Sequence, residues 1–129
     1  MYVNILNKQH HPSPIFPFSP LDSLLDFGFK YYAEDFVNGS ISSVEASLAA
    51  RNAGIDNTAT LGSFLSSHDE NGFLAVTAEG DTAKAKVAAA LQLTAKGIPV
   101  IYYGEEIGLS GPNKYGEQNN NRYDMKLDN

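Results

Sequence analysis

Residues 81–104 read DTAKAKVAAALQLTAKGIPVIYYG, and this stretch decides the fold class. Asp81 has a carboxylate suited to accept from the free N–H groups of a first helical turn. The alanine-rich run behind it favours helix, with Val87, Leu91, Thr94 and Ala95 near one stripe and Gly97 suited to the position just past a helix end. Pro99-Val100-Ile101-Tyr102-Tyr103 then reads as a buried strand, with proline at its start, where a missing N–H is tolerated, and Gly104 at its close. A helix feeding a buried strand is half of a strand-helix-strand unit.

The other half lies upstream. Thr60 to Ser66 contains Leu61, Phe64 and Leu65 and then turns polar at Ser66-Ser67-His68-Asp69-Glu70-Asn71, the texture of a strand leaving the core for a functional loop. Further back, Leu21, Leu24, Leu25 and Phe27 form a short apolar run ending at Gly28, which predicts another buried strand. Phe29, Tyr32, Ala33 and Phe36 fall on one helical face, with Asn38-Gly39 as the stop. Ser42 and Glu45 have capping-box spacing ahead of Val44, Leu48 and Ala49, predicting a second helix that ends near Gly54. The order strand, helix, helix, strand, helix, strand implies an α/β fold: right-handed crossovers and a small parallel sheet with helices on its faces. Working groups in such folds lie at the carboxyl ends of strands. Two polar clusters sit there, Ser67 to Asn71 and Gly104-Glu105-Glu106.

Composition narrows the possible chemistry. The chain has 129 residues, 43% of them hydrophobic, which suits one globular domain with a modest core. A net charge of −6 leaves no basic patch for phosphates, so neither nucleic acid nor an anionic membrane is an expected partner. No long apolar run suits a bilayer span, and no export signal is evident. The absence of cysteine removes disulfides, thiolate catalysis and Cys-based zinc sites while leaving localisation open. Pro12, Pro14, Pro17 and Pro20 mark residues 1–19 as an extended arm or linker, and its His10-His11 pair, without nearby carboxylates, reads as a solvated loop.

His68 beside Asp69 suits hydrolysis, metal binding or sugar binding, because imidazole and carboxylate exchange hydrogen bonds with hydroxyls and protons near neutral pH. No G-x-S-x-G elbow supports a serine nucleophile, and the glycines at 104, 108 and 111 lack the lysine of a phosphate loop. On its own, Asp69 reads better as a loop cap than as a functional carboxylate.

Two motifs shift that balance. Phe64-Leu65-Ser66-Ser67-His68-Asp69 resembles the seventh-strand segment F-x-x-N-H-D of the α-amylase family, glycoside hydrolase family 13. Gly97-Ile98-Pro99-Val100-Ile101-Tyr102-Tyr103-Gly104-Glu105-Glu106 resembles that family's eighth-strand segment, G-x-P-x-I-Y-Y-G-x-E. Leu21 to Gly39 is similar to the sixth strand and its helix, and the wording at Ser67 to Phe73 and at Asn121-Arg122-Tyr123-Asp124-Met125 is closest to pullulanase-type enzymes.

The resemblance implies that residues 20–129 are the C-terminal part of a (β/α)8 TIM barrel, covering strands six to eight. A complete barrel needs about 250 residues. It further implies that Asp69 is the third catalytic carboxylate, stabilising an oxocarbenium-like transition state of an α-glucan, and that His68 binds the same sugar. The family's usual asparagine is Ser67 here. The nucleophile, the acid/base and the third-strand D-x-x-x-N-H segment have no counterpart, so the isolated chain is expected to be inactive, with a non-catalytic α-glucan-binding or partner-binding module as the alternative. Glu70, Glu105 and Glu106 are expected to serve loop hydrogen bonding and solvation. No cofactor is expected, because calcium, common in the family, is usually held by segments without a match here. Open barrel edges predict self-association.

Overall fold

A computed structural model of the chain describes residues 23–54, 60–113 and 121–125. The arm at 1–19, its His10-His11 pair and Leu21 lie outside them. The elements are β1 (Ser23–Asp26), α1 (Phe27–Val37), α2 (Ile41–Gly54), β2 (Thr60–Ser63), a π-helical turn (Phe73–Thr77), α3 (Thr82–Thr94), β3 (Ile98–Pro99) and a 3-10 turn (Glu105–Ile107). The three strands form one parallel sheet in the order β1-β2-β3. Ser23 pairs with Thr60 and Asp26 with Ser63, while Gly62 pairs with Ile98. The α/β expectation with a small parallel sheet therefore holds.

Several boundaries differ from the sequence reading, each for a local reason. Phe27 opens α1 instead of closing the first strand, because the Asp26 carboxylate accepts the Phe29 N–H at 3.0 Å and so caps the helix two residues early. The Ser42-Glu45 capping box does not form the start of α2: the helix begins at Ile41, and the Val44 N–H bonds Ser40 O at 3.1 Å, so both residues lie inside it. Asp81 does cap α3, accepting from Ala83 and Lys84 at 2.8 and 3.2 Å.

The expected stripe of α3 is rotated. Ala88 and Gln92 are its buried residues; of the expected stripe, Leu91 and Ala95 pack against the core at its edge, whereas Val87 and Thr94 are exposed and line an open groove with Phe36 and Leu91. Gln92 Nε2 donates to Ser63 O at 2.8 Å and Val100 O at 3.1 Å. A buried amide thus serves carbonyls where the ladder ends at Pro99, and apolar periodicity carries no signal for such a residue.

α1 packs on both α2 and α3, so the helices form one layer. Phe29, Ala33, Leu65, Phe73, Ala78 and Ala88 make the core. The expectation that the outer strands are buried is not met: Leu25 and Ile98 are 54% and 53% exposed, and β3 ends at Pro99, so Val100 to Tyr103, read as strand from the sequence, lie beyond it. Successive strand residues point to opposite faces, and along β1 Leu25 is exposed while its neighbour Asp26 is buried.

Asp26 and Arg51 are both buried, and the guanidinium joins the carboxylate through Nε at 2.5 Å and through Nη2. Arg51 also donates to Lys96 O at 3.0 Å, tying α2 to the segment that leads into β3.

Candidate functional site

The segment following β2 carries the candidate residues. Phe64, Leu65 and Ser66 are buried and anchor it, after which the chain rises into a turn that closes at Phe73. Ser66 fastens the base of this loop. Its Oγ accepts the Phe73 N–H at 2.9 Å and donates to the Glu105 carboxylate, whose other oxygen accepts the Tyr102 N–H at 3.1 Å. The two polar clusters identified in the sequence are thus connected. Glu105 has the loop role expected of it, and Glu106 is exposed.

Burial raises the Glu105 carboxyl above its ordinary value of 4.5, against the Ser66 and Tyr102 hydrogen bonds that favour the charge; Glu106 adds to the rise. The folded chain therefore keeps this proton to a higher pH than the unfolded chain. The associated stability is complete below the unfolded value and is lost as pH rises through the folded one. A glutamine side chain at this position has an oxygen to accept from the Tyr102 N–H and an amide nitrogen to face Ser66 Oγ, with no charge to bury. Glu105→Gln is expected to melt higher than the parent at pH 7 and level with it at about pH 4; a difference independent of pH in scanning calorimetry would refute the assignment.

His68 and Asp69 stand side by side with side chains 58% and 51% exposed, so both present polar atoms to solvent. Asp69 is held on each oxygen. His68 Nε2 lies 3.2 Å from Oδ2, and Arg122 Nη2 donates to Oδ1 at 3.2 Å. Its N–H donates to Ser67 Oγ at 3.2 Å, and its carbonyl accepts from Asn113 Nδ2. Ser67 thus turns the backbone immediately before the carboxylate.

The flank is fixed by charge. Glu70 pairs at 3.1 Å with Lys30, which is buried and also pairs with Glu34 at 2.9 Å. Burial alone would lower the Lys30 ammonium pKa, but the two carboxylates outweigh it and raise it.

On the far side, the Gly72 N–H donates to Gly111 O at 2.8 Å. A Cβ on Gly72 would meet Gly111 N at 2.7 Å, so the two backbones touch only because this residue has no side chain. Asn71 Oδ1 accepts the Asn113 N–H at 2.7 Å. Tyr102 donates its hydroxyl to Asn121 O at 2.7 Å; burial first, and then its hydrogen bond with Tyr103, push its pKa up to about 12.

The two residues singled out in the sequence are thus adjacent and accessible beside the carboxyl end of the sheet. Sequence reasoning missed Lys30, Arg122 and Asn121 as parts of this arrangement. Arg122 is 53 positions from Asp69, and no periodicity links such a pair. Among the described residues no group of three or more His, Cys, Asp or Glu is placed to hold a metal ion. No described helix is long and apolar enough to cross a membrane.

The sequence matches the family model for the α-amylase catalytic domain over residues 9–129. The chain belongs to the α-amylase family. The catalytic domain of this family is a (β/α)8 barrel, and the described parallel α/β unit is consistent with part of one. Alpha-amylase 1 of Lipomyces kononenkoae is 38% identical over 96 residues, 72% of this chain and 15% of that protein. Cyclomaltodextrinase of a Bacillus species is 34% identical over 113 residues, 83% of this chain and 20% of that protein. Among solved structures, the cyclic α-maltosyl-(1→6)-maltose hydrolase of Arthrobacter globiformis, in complex with maltose, superimposes with a TM-score of 0.65 at 29% identity. That match covers 70% of this chain and 22% of the hydrolase. The chain thus spans between 15% and 22% of the length of these α-amylase-family proteins.

Proposed function

We propose that residues 20–129 form strands six to eight, with their helices, of an α-glucan hydrolase barrel, preceded by an arm at 1–19. In this reading Asp69 stabilises the transition state and His68 binds the same sugar. The observation that carries it is the Asp69 carboxylate itself: accessible, held on both oxygens by His68 and Arg122, and located where the F-x-x-N-H-D motif falls. A carboxylate so oriented bonds sugar hydroxyls without first having to find its place. Contacts that strengthen as the ring flattens toward an oxocarbenium ion stabilise the transition state more than the ground state. The names of the similar proteins, an amylase, a cyclomaltodextrinase and a hydrolase bound to maltose, support maltooligosaccharides and related α-glucans as the ligand class.

Retaining cleavage needs a nucleophile and an acid/base roughly 5 Å apart. The family motifs that supply them have no match in these 129 residues. The chain alone is therefore read as inactive, with bond cleavage requiring carboxylates from other barrel strands. The arrangement around Asp69 also favours a second reading, an α-glucan-binding module without turnover.

Both readings are tested by titrating the purified chain with maltotetraose and assaying reducing-sugar release. Saturable binding, weakened at least about tenfold by Asp69→Asn as expected for loss of a charged hydrogen bond, supports the assignment of Asp69. Sugar release from pullulan or maltooligosaccharide that disappears in Asp69→Ala would overturn the inactive reading. Binding indifferent to position 69 would overturn the site.

A further inference from the structure

Resting on that reading of Asp69, we propose that Asn121 is the positioning residue of the turn that presents it. Asn121 is 3% exposed, and its Nδ2 donates to Ser67 O at 3.0 Å and to Glu70 O at 3.2 Å. Those two carbonyls bracket His68 and Asp69. Its Oδ1 accepts the Gly111 N–H at 3.2 Å, and its own carbonyl accepts the Tyr102 hydroxyl at 2.7 Å. One buried side chain and its backbone thus join the loop after β2, the 111 segment and the residues following β3.

The backbone supports the same role. Asn121 has φ +48°, in the left-handed region where asparagine is enriched several-fold over most other residues. This conformation directs the carboxamide toward the turn while the next residue, Arg122, reaches Asp69 Oδ1. Asn121 touches no reacting atom. It acts through the turn and through the approach of Arg122.

The chemistry separates shape from hydrogen bonding. Aspartate has the same outline and tolerates the same φ, but its carboxylate has no donor and would face two carbonyl oxygens. Glycine keeps the φ and supplies neither donor nor acceptor. Both substitutions leave the Ser67 and Glu70 carbonyls without their side-chain partner.

The test compares the parent chain with Asn121→Asp, Asn121→Gly and Asp69→Asn by nitrogen-15 NMR and maltotetraose titration. At pH 7 both Asn121 variants are expected to shift and deprotect the amides of residues 67–71, to leave those of α1 and α3 in place, and to weaken binding about tenfold. At about pH 3 the aspartate is protonated and regains one donor, so Asn121→Asp is expected to recover part of the turn shifts while Asn121→Gly does not. Turn amides in both variants that coincide with the parent's would overturn the proposal. So would loss of the α1 and α3 amides together with the turn, because Asn121 would then be a support of the whole fold. Failure of the parent to bind, or unaltered binding by Asp69→Asn, overturns the underlying reading of Asp69, whereas the turn resonances still decide the role of Asn121.

Discussion

Asp26→Ala is expected to lower unfolding free energy by about 3–5 kcal/mol, the range for removing one partner of a buried ion pair. Asp26 and Arg51 are each 8% exposed, so solvent does little to screen them, and deletion leaves a guanidinium buried without its countercharge. The same carboxylate caps α1 through the Phe29 N–H, and an N-cap is worth about 1 kcal/mol more. Ordinary domains are stable by roughly 5–15 kcal/mol, so this single change removes a large share. Urea denaturation followed by circular dichroism measures it. Asp26→Asn separates the two roles, since the amide oxygen can still accept from Phe29 while the charge is gone. A midpoint shift in Asp26→Ala worth less than about 1 kcal/mol would show that water reaches Arg51 freely.

The second large effect is expected at Gly97. Its φ of +134° lies outside what side-chain-bearing residues readily adopt, and a Cβ there would stand 2.8 Å from Leu61 O, a backbone atom of β2. Backbone strain of about 1–3 kcal/mol adds to overpacking of a similar size, so Gly97→Ala is expected to cost about 2–6 kcal/mol. The damage falls on the junction where α3 delivers the chain to β3. Deprotection of the Val100 amide, which bonds Ser63 O at 2.8 Å, reports it by hydrogen exchange. Full protection of that amide in Gly97→Ala would mean that β2 yields at little cost.

Asp26 and Gly97 also show where sequence reading succeeds. Gly97 is legible as a break between helix and strand, but α3 already ends at Thr94 with Ala95 as its cap, and the approach of Gly97 to Leu61 is not legible. Asp26 is hidden inside an apolar run, because its partner Arg51 is 25 positions away and neither belongs to a periodic pattern. The same difference separates the parts of the site. His68 and Asp69 are neighbours in a motif, and motifs are local. Arg122, Asn121 and Lys30 join them only through the path of the chain. Glu105 is legible as a loop residue, but its clamp on Ser66 needs both loops in view.

The order of strands and helices, the parallel sheet, the caps at Asp81 and Asn38, the family and the adjacency of His68 and Asp69 all follow from the sequence by itself. Each depends on residues close together in the chain, where propensity, capping and motif spacing operate. Tertiary structure alone decided which face of α3 turns inward, where β3 stops, how Asp26 is neutralised and which atoms orient the Asp69 carboxylate. Those outcomes depend on pairings across tens of residues, where burial requires each polar group to find a partner wherever the fold brings one.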